Sequence, residues 1–291
     1  MRGYTVKDFF KRFPTDDACL EAIKVTRMGG ERMICANPKC GRKAKFYRID
    51  GRRAYACQFC GDHFYPCVGT PFAESRTSLQ TWFYAMYLFT TSRHGVPAKE
   101  LERQLGVTYK TAWRMARILR QLMGSQDGGK LGGIVEIDES YHGGNKRDGK
   151  SGPHLLEKAI LLGMKERGGR VRTVQIPNTY MPTMRAVIEQ NVEKDGTRVM
   201  TDQHRSYKLL RQAGWDHQSV NHGIYEYARG DVHTNSIENF WGRLKASIRG
   251  THIHVSHKYL GVYAGEFAFR ASRRHDPVGM FDYLLSAACR V

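Results

Sequence analysis

The sequence predicts an α/β protein with a cysteine-rich head, on three observations. Five of the seven cysteines fall between Cys35 and Cys67. A helical pattern runs from Leu79 to Met123, with turn signals near Ser92-Arg93-His94-Gly95 and at Gly106. After a glycine-rich joint at 124–130, apolar strand-like runs occur at about 133–141, 158–165, 170–176 and 197–201, with a helix-like segment at about 181–193. Three strands, a helix, a strand and further helices at about 203–213, 233–249 and 256–272 make an α/β order. The predicted divisions are residues 1–75, 76–124 and 125–291.

Composition narrows the partners. Lys and Arg number 46 against 28 Asp and Glu, a formal charge of +18. That surplus releases counterions on a polyanion and points to nucleic acid. No run approaches the roughly 20 apolar residues of a spanning helix. The N-terminus, Met1-Arg2-Gly3-Tyr4-Thr5-Val6, has no signal-peptide core. The expectation is a cytoplasmic protein with no membrane partner.

In the head, Cys35 and Cys40 enclose four residues, Cys57 and Cys60 two, and sixteen lie between the pairs. Two such pairs suit one structural, tetrahedral Zn²⁺, each forming a knuckle over a tight turn. Gly41 and Gly61 follow the second cysteine of each pair, where a positive φ is useful. Alternating residues at 44–49 and 53–56 read as short strands around Asp50-Gly51. His63 and Cys67 are spare donors, either of which can replace a ligand of the four.

In the second segment Pro97 opens a short helix, Gly106-Val107 turns, and Thr108 caps a helix from Tyr109 to about Met123. This is a helix-turn-helix outline. Ala112, Met115, Ala116, Leu119 and Leu122 form its inward stripe. Lys110, Arg114, Arg117 and Gln121 lie on another face, able to reach phosphates or base edges.

The third segment carries the chemistry. Asp138 ends the apolar run at 133–138, Asp202 ends the run at 198–202, and Glu238 lies in a helix-like stretch that continues to Lys245. Carboxylates at the mouths of two strands and on a helix can converge on two Mg²⁺ or Mn²⁺ ions, a pair suited to in-line phosphoryl displacement. Seven residues return to nearly the same helical face, so Lys245 can hold a phosphate of the same substrate. Glu136 shares its strand face with Asp138 and is the nearest rival ligand, and Asn239 rivals Glu238. Lys146 and Arg147 sit in a basic tip suited to tracking a DNA backbone. His222, His252, His254 and His257 match no standard ligand spacing.

Several stretches carry a resemblance: Val135 to Gly144, Thr201 to Tyr207, Val220-Asn221-His222, and His233 to Trp241 continuing through Arg249-Gly250-Thr251. His254-Val255-Ser256 and Glu266 to Arg270 extend it. They resemble the DDE transposases of bacterial insertion sequences, the ISXO-type lineage with an N-terminal zinc ribbon, over almost the whole chain. The four-residue gap between Cys35 and Cys40 departs from relatives, which usually have two. The resemblance implies an RNase H-like catalytic domain whose first and fourth strands are neighbours. It implies Asp138, Asp202 and Glu238 on two Mg²⁺ ions, with Lys245 on the cleaved strand. It also implies terminal inverted repeats and target DNA as partners, with Lys110, Arg114, Arg117, Lys146, Arg147 and Arg249 as DNA contacts. A homodimer or larger synaptic assembly, associated with a bacterial nucleoid, follows from joining two ends. Two other readings stay open on sequence: a non-catalytic DNA-binding regulator, and an RNase H-like nuclease or resolvase without strand transfer.

Overall fold

The computed structural model describes residues 3–125, 128–143, 158–221 and 228–290. The chain divides into two compact units, one of residues 1–92, 98–122 and 275–291, the other of 93–97 and 123–274. The division near 122 falls beside the glycine-rich joint. The last helix, Pro277–Cys289, groups with the first unit, although sequence order places it in the third segment. Its apolar face explains this: Phe281 stacks on Phe13 at 5.3 Å and meets Phe83 edge-on at 5.9 Å.

The first unit opens with α1 (Val6–Arg12) and α2 (Asp16–Met28). Thr5 and Asp8 cap α1 reciprocally, and the Thr15 hydroxyl accepts from the Ala18 amide to start α2. Strands β1 (Arg32–Ile34), β2 (Lys43–Ile49), β3 (Ala54–Cys57) and β4 (His63–Phe64) pair antiparallel in that order. The Asp50-Gly51 turn joins β2 to β3 with Gly51 at φ 72°. Then come α3 (Leu79–Thr91), α4 (Ala98–Leu105) and α5 (Tyr109–Gly124). Gly106, at φ 63°, makes the turn between α4 and α5.

The second unit is a five-stranded sheet covered on both faces. It contains β5 (Ile134–His142), β6 (Ala159–Glu166), β7 (Val171–Ile176), α6 (Met181–Asn191) and β8 (Arg198–Thr201). A 3-10 turn (Arg205–Tyr207), α7 (Lys208–Gln212), β9 (Asp216–Ser219), α8 (Asn235–Ser247) and α9 (His257–Arg273) follow. The strand order is β7-β6-β5-β8-β9, antiparallel from β5 to β7 and parallel from β5 through β8 to β9. The parallel step needs a crossover, which α6 supplies. On one face Val135, Ile137, Leu162 and Met164 pack on Met184, Ile188, Leu210 and Trp215. On the other, Leu161 and Val171 pack on Ile237, Phe240, Trp241, Leu244 and Leu260. Two covered faces account for the unbroken apolar run of β6, Ala-Ile-Leu-Leu-Gly-Met. Among the described residues no helix is long and apolar enough to cross a membrane.

Candidate active site and zinc centre

Strand pairing brings the first two acids together. β5 and β8 run parallel with Glu136 beside Met200, so two residues later Asp138, still paired to β6, and Asp202, just past the end of β8, lie at the same end of the β5–β8 pair. Glu238 arrives from the first turn of α8, its Oε1 accepting from the Thr234 hydroxyl at 2.6 Å. Burial pushes Asp138 up to about 7, helped by the charges of Glu139, Asp202 and Glu238 in that order. Glu139 is raised by burial and by Asp202, against the Tyr207 hydroxyl that donates to it at 2.7 Å. The Asp202 loop is fixed by the His204 amide, which donates to Oδ1 at 2.9 Å.

Asp138, Glu139, Asp202 and Glu238 form an acidic cluster in which His204 acts to lower Glu139, and carboxylate oxygens are the donors that a hard divalent ion takes. Among the described residues, the group of ligand atoms lying mutually within 4.8 Å is the cysteine quartet, which does not include these acids.

Lys245 is half-buried on α8, two turns beyond Glu238. It stands close enough to His142, on the same strand face as Asp138, to act on it. Burial and then Lys245 push that imidazole down to about 4. Glu238, Lys245 and the end of β5 thus lie along one side of the sheet. Arg249 is exposed just beyond the helix, and Asn239, the rival to Glu238, is exposed.

Glu136 turns out to hold the scaffold rather than compete for metal. It is fully buried, and its Oε2 accepts from the amides of Ser236 and Ile237 at 2.7 and 3.0 Å. Those are orphan donors of the first turn of α8, whose own Thr234 makes no side-chain cap. A carboxylate from the strand thus caps the helix that carries Glu238, where the helix dipole favours it. Arg167 completes the joint, donating from Nε to Glu136 Oε1 at 2.8 Å and from Nη2 to the His233 carbonyl at 3.1 Å. Replacing Glu136 with alanine is expected to cost about 3 kcal/mol, since Arg167 and two amides lose their partner. Denaturant unfolding measures this; a loss within 0.5 kcal/mol, about that of a neutral surface change, would contradict it.

Gly163 is a residue of this site that nothing in the sequence marks out. It pairs with Asp138 across β5 and β6. A Cβ at Gly163 would stand 2.4 Å from Trp241 Cζ2 and 2.9 Å from Ile237 Cδ1. Its bare Cα lets α8 lie down on the sheet beside Asp138.

In the head, Cys35, Cys40, Cys57 and Cys60 come together with all four sulfurs within 4.8 Å of one another. Cys35 and Cys60 Sγ are 3.6 Å apart, close to the roughly 3.8 Å edge of a tetrahedron with zinc–sulfur bonds near 2.3 Å. The donors present fit Zn²⁺. The knuckle glycines have positive φ, 56° at Gly41 and 73° at Gly61. The spare donors stay outside the group: Cys67 is buried elsewhere, and His63 Nδ1 lies 3.3 Å from the Tyr65 hydroxyl. Substituting Cys57 with serine is expected to release zinc and unfold the small sheet. Metal analysis after gel filtration reads this; full zinc content in the variant would refute the ligand set.

On α5 the stripe Ala112, Met115, Ala116 and Leu119 is buried, while Leu122 is half-buried and Met123 takes the inward place. Lys110, Arg114, Arg117 and Gln121 are exposed along one face. Arg114 lies over Trp82 at 5.6 Å and Arg117 over Trp113 at 5.7 Å. Lys146, Arg147 and His222 lie outside the described residues.

Comparison with known proteins agrees with this anatomy. Residues 130–272 match the model of the ISXO2-like transposase domain, and residues 14–63 that of the transposase zinc-ribbon domain. The chain is 30% identical over 209 residues to an uncharacterized protein in transposable element ISH50 of Halobacterium salinarum, covering 66% of this chain and 69% of that one. It is 32% identical over 80 residues to an uncharacterized transposase-like protein of Haemophilus influenzae, covering 28% of this chain and 63% of the other. No solved structure matches. A zinc-ribbon head and a mixed sheet with an acidic mouth define a transposase of insertion-sequence type. The chain belongs to the ISXO2-like transposase family.

Proposed function

We propose that this protein is a DDE transposase that binds the terminal inverted repeats of its element, cleaves the ends and joins them to target DNA. The observation that carries this reading is the meeting of Asp138, Asp202 and Glu238 at one end of the β5–β8 pair. The first strand of the sheet lies beside the fourth, which supports an RNase H-like fold. Asp138, Asp202 and Glu238 would hold two Mg²⁺ or Mn²⁺ ions, which when bound activate the attacking oxygen and stabilise the departing one.

The chain's own residues do the remaining work. Lys245 holds a phosphate of the cleaved strand, on the same face of α8 as Glu238. Glu136 and Arg167 fix that helix, and the His204 amide orients Asp202. Lys110, Arg114, Arg117 and Arg249 contact DNA, with α4 and α5 as a helix-turn-helix pair. Zn²⁺ on the four cysteines is structural. Joining two ends calls for a homodimer or larger assembly.

The test is a strand-transfer assay. Pre-cleaved ends from DNA flanking the gene are incubated with circular plasmid, purified protein and Mg²⁺. Integrated product is expected. Nicking without joining would instead indicate a nuclease, and binding without either reaction a regulator.

A further inference from the structure

The far end of α8 carries a backbone feature that cleavage chemistry leaves unexplained. The helix runs into a π-helical turn, Ile248–His252, and then into Ile253 at φ 63°, ψ −54°. The His254 amide donates to the His252 carbonyl at 2.7 Å. Together these make a γ-turn of the rare, positive-φ kind. Among the described residues, Ile253 is the one non-glycine with positive φ. A β-branched residue is strongly disfavoured there. The residue is also 84% exposed, more than any other large apolar residue described.

Strain persists only where the surroundings impose it. The His252 ring packs edge-on against Tyr263 at 4.8 Å. It lies over Gly95, where a Cβ would stand 2.8 Å from His252 Nε2. On the other side Val255 packs against the core that α8 and α9 share with β6. With both flanks drawn inward, the turn drives Ile253 outward. An apolar side chain held out by an unfavourable backbone points to a ligand that covers it.

The surrounding charge says which ligand. From Asn239 to Gly265 the chain carries no acidic residue, but it carries Arg243, Lys245, Arg249, Lys258 and three histidines. Arg249, His254, His257 and Lys258 are exposed around the tip. A cationic ring around an apolar tip suits duplex DNA, where phosphate contacts position the protein and an apolar wedge opens a base step. We infer that Ile253 is an intercalating wedge that unstacks one step of duplex DNA lying against Arg249 and Lys258. The inference rests on the reading of the chain as a DNA-acting enzyme and adds that it deforms its substrate.

The test uses the full chain in Ca²⁺, with duplexes from DNA flanking the gene carrying 2-aminopurine at successive positions. Wild type is expected to raise fluorescence several-fold at one step. Ile253→Gly is expected to abolish that rise and weaken binding roughly tenfold. It should also raise the Tm of the free protein by about 2 °C, because glycine adopts this turn without strain. Ile253→Leu should keep the rise. An unstacked step that survives Ile253→Gly, or binding by wild type with no unstacked step, overturns the wedge and leaves the transposase reading standing. Absence of DNA binding by wild type overturns both. If Ile253→Gly abolishes self-association in sedimentation and leaves the fluorescence unchanged, the surface belongs to a second copy and the wedge is overturned.

Discussion

Replacing Asp138 with asparagine is expected to abolish Mg²⁺-dependent cleavage and, at neutral pH without metal, to make the protein more stable. The two effects share a cause. Burial and the charges of Glu139, Asp202 and Glu238 push the Asp138 carboxyl from 3.8 up to about 7. The folded state therefore holds that proton more tightly than the unfolded chain does. Stability from this group is full below about pH 4 and is lost as pH rises towards 7. Near pH 8 the ionised group costs up to about 4 kcal/mol, and asparagine, which never ionises, removes that cost. Thermal unfolding at pH 4 and pH 8 separates the variants: similar Tm values are expected at the lower pH, and a higher Tm for Asp138→Asn at the upper. Mg²⁺ should stabilise the wild type more than the variant. Retained cleavage, or a variant less stable at pH 8, would break the assignment.

Much of this site is legible in sequence because its acids interrupt apolar runs. Asp138 and Asp202 each end a run, and strands β5 to β8 lie within about a residue of where periodicity places them. β9 is invisible by the same logic: Asp216-His217-Gln218-Ser219 is polar, and only pairing with β8 makes it a strand. Glu136 is legible as an unusual buried acid, but alternation alone cannot tell a metal ligand from a helix cap. That distinction depends on Ser236 and Ile237, a hundred residues away, donating to it. Ile253 is hidden for a related reason, since nothing in Thr251-His252-Ile253-His254 requires a positive φ. The strain there comes from what its neighbours pack against.

Gly163→Ala is expected to have the second large effect, and it shows how narrow the tolerance beside Asp138 is. The backbone at Gly163 is outside the left-handed region, so alanine is conformationally acceptable there and space alone opposes it. The added carbon meets the indole of Trp241, 4% exposed, and Ile237, fully buried. Neither has a free direction to move, because both belong to the core between the sheet and α8. Overpacking of this kind costs about 1–3 kcal/mol where side chains can shift. Here the relief available is to lift α8, which carries Glu238 and Lys245 away from Asp138. A displacement of about 1 Å is enough to lower catalysis by around a hundredfold. Trp241→Phe removes the ring atoms that clash, so Gly163→Ala/Trp241→Phe should recover stability and activity beyond the sum of the single changes. Denaturant unfolding and strand-transfer rates on all four proteins form the cycle. Strict additivity would show that Gly163 does not act by seating α8.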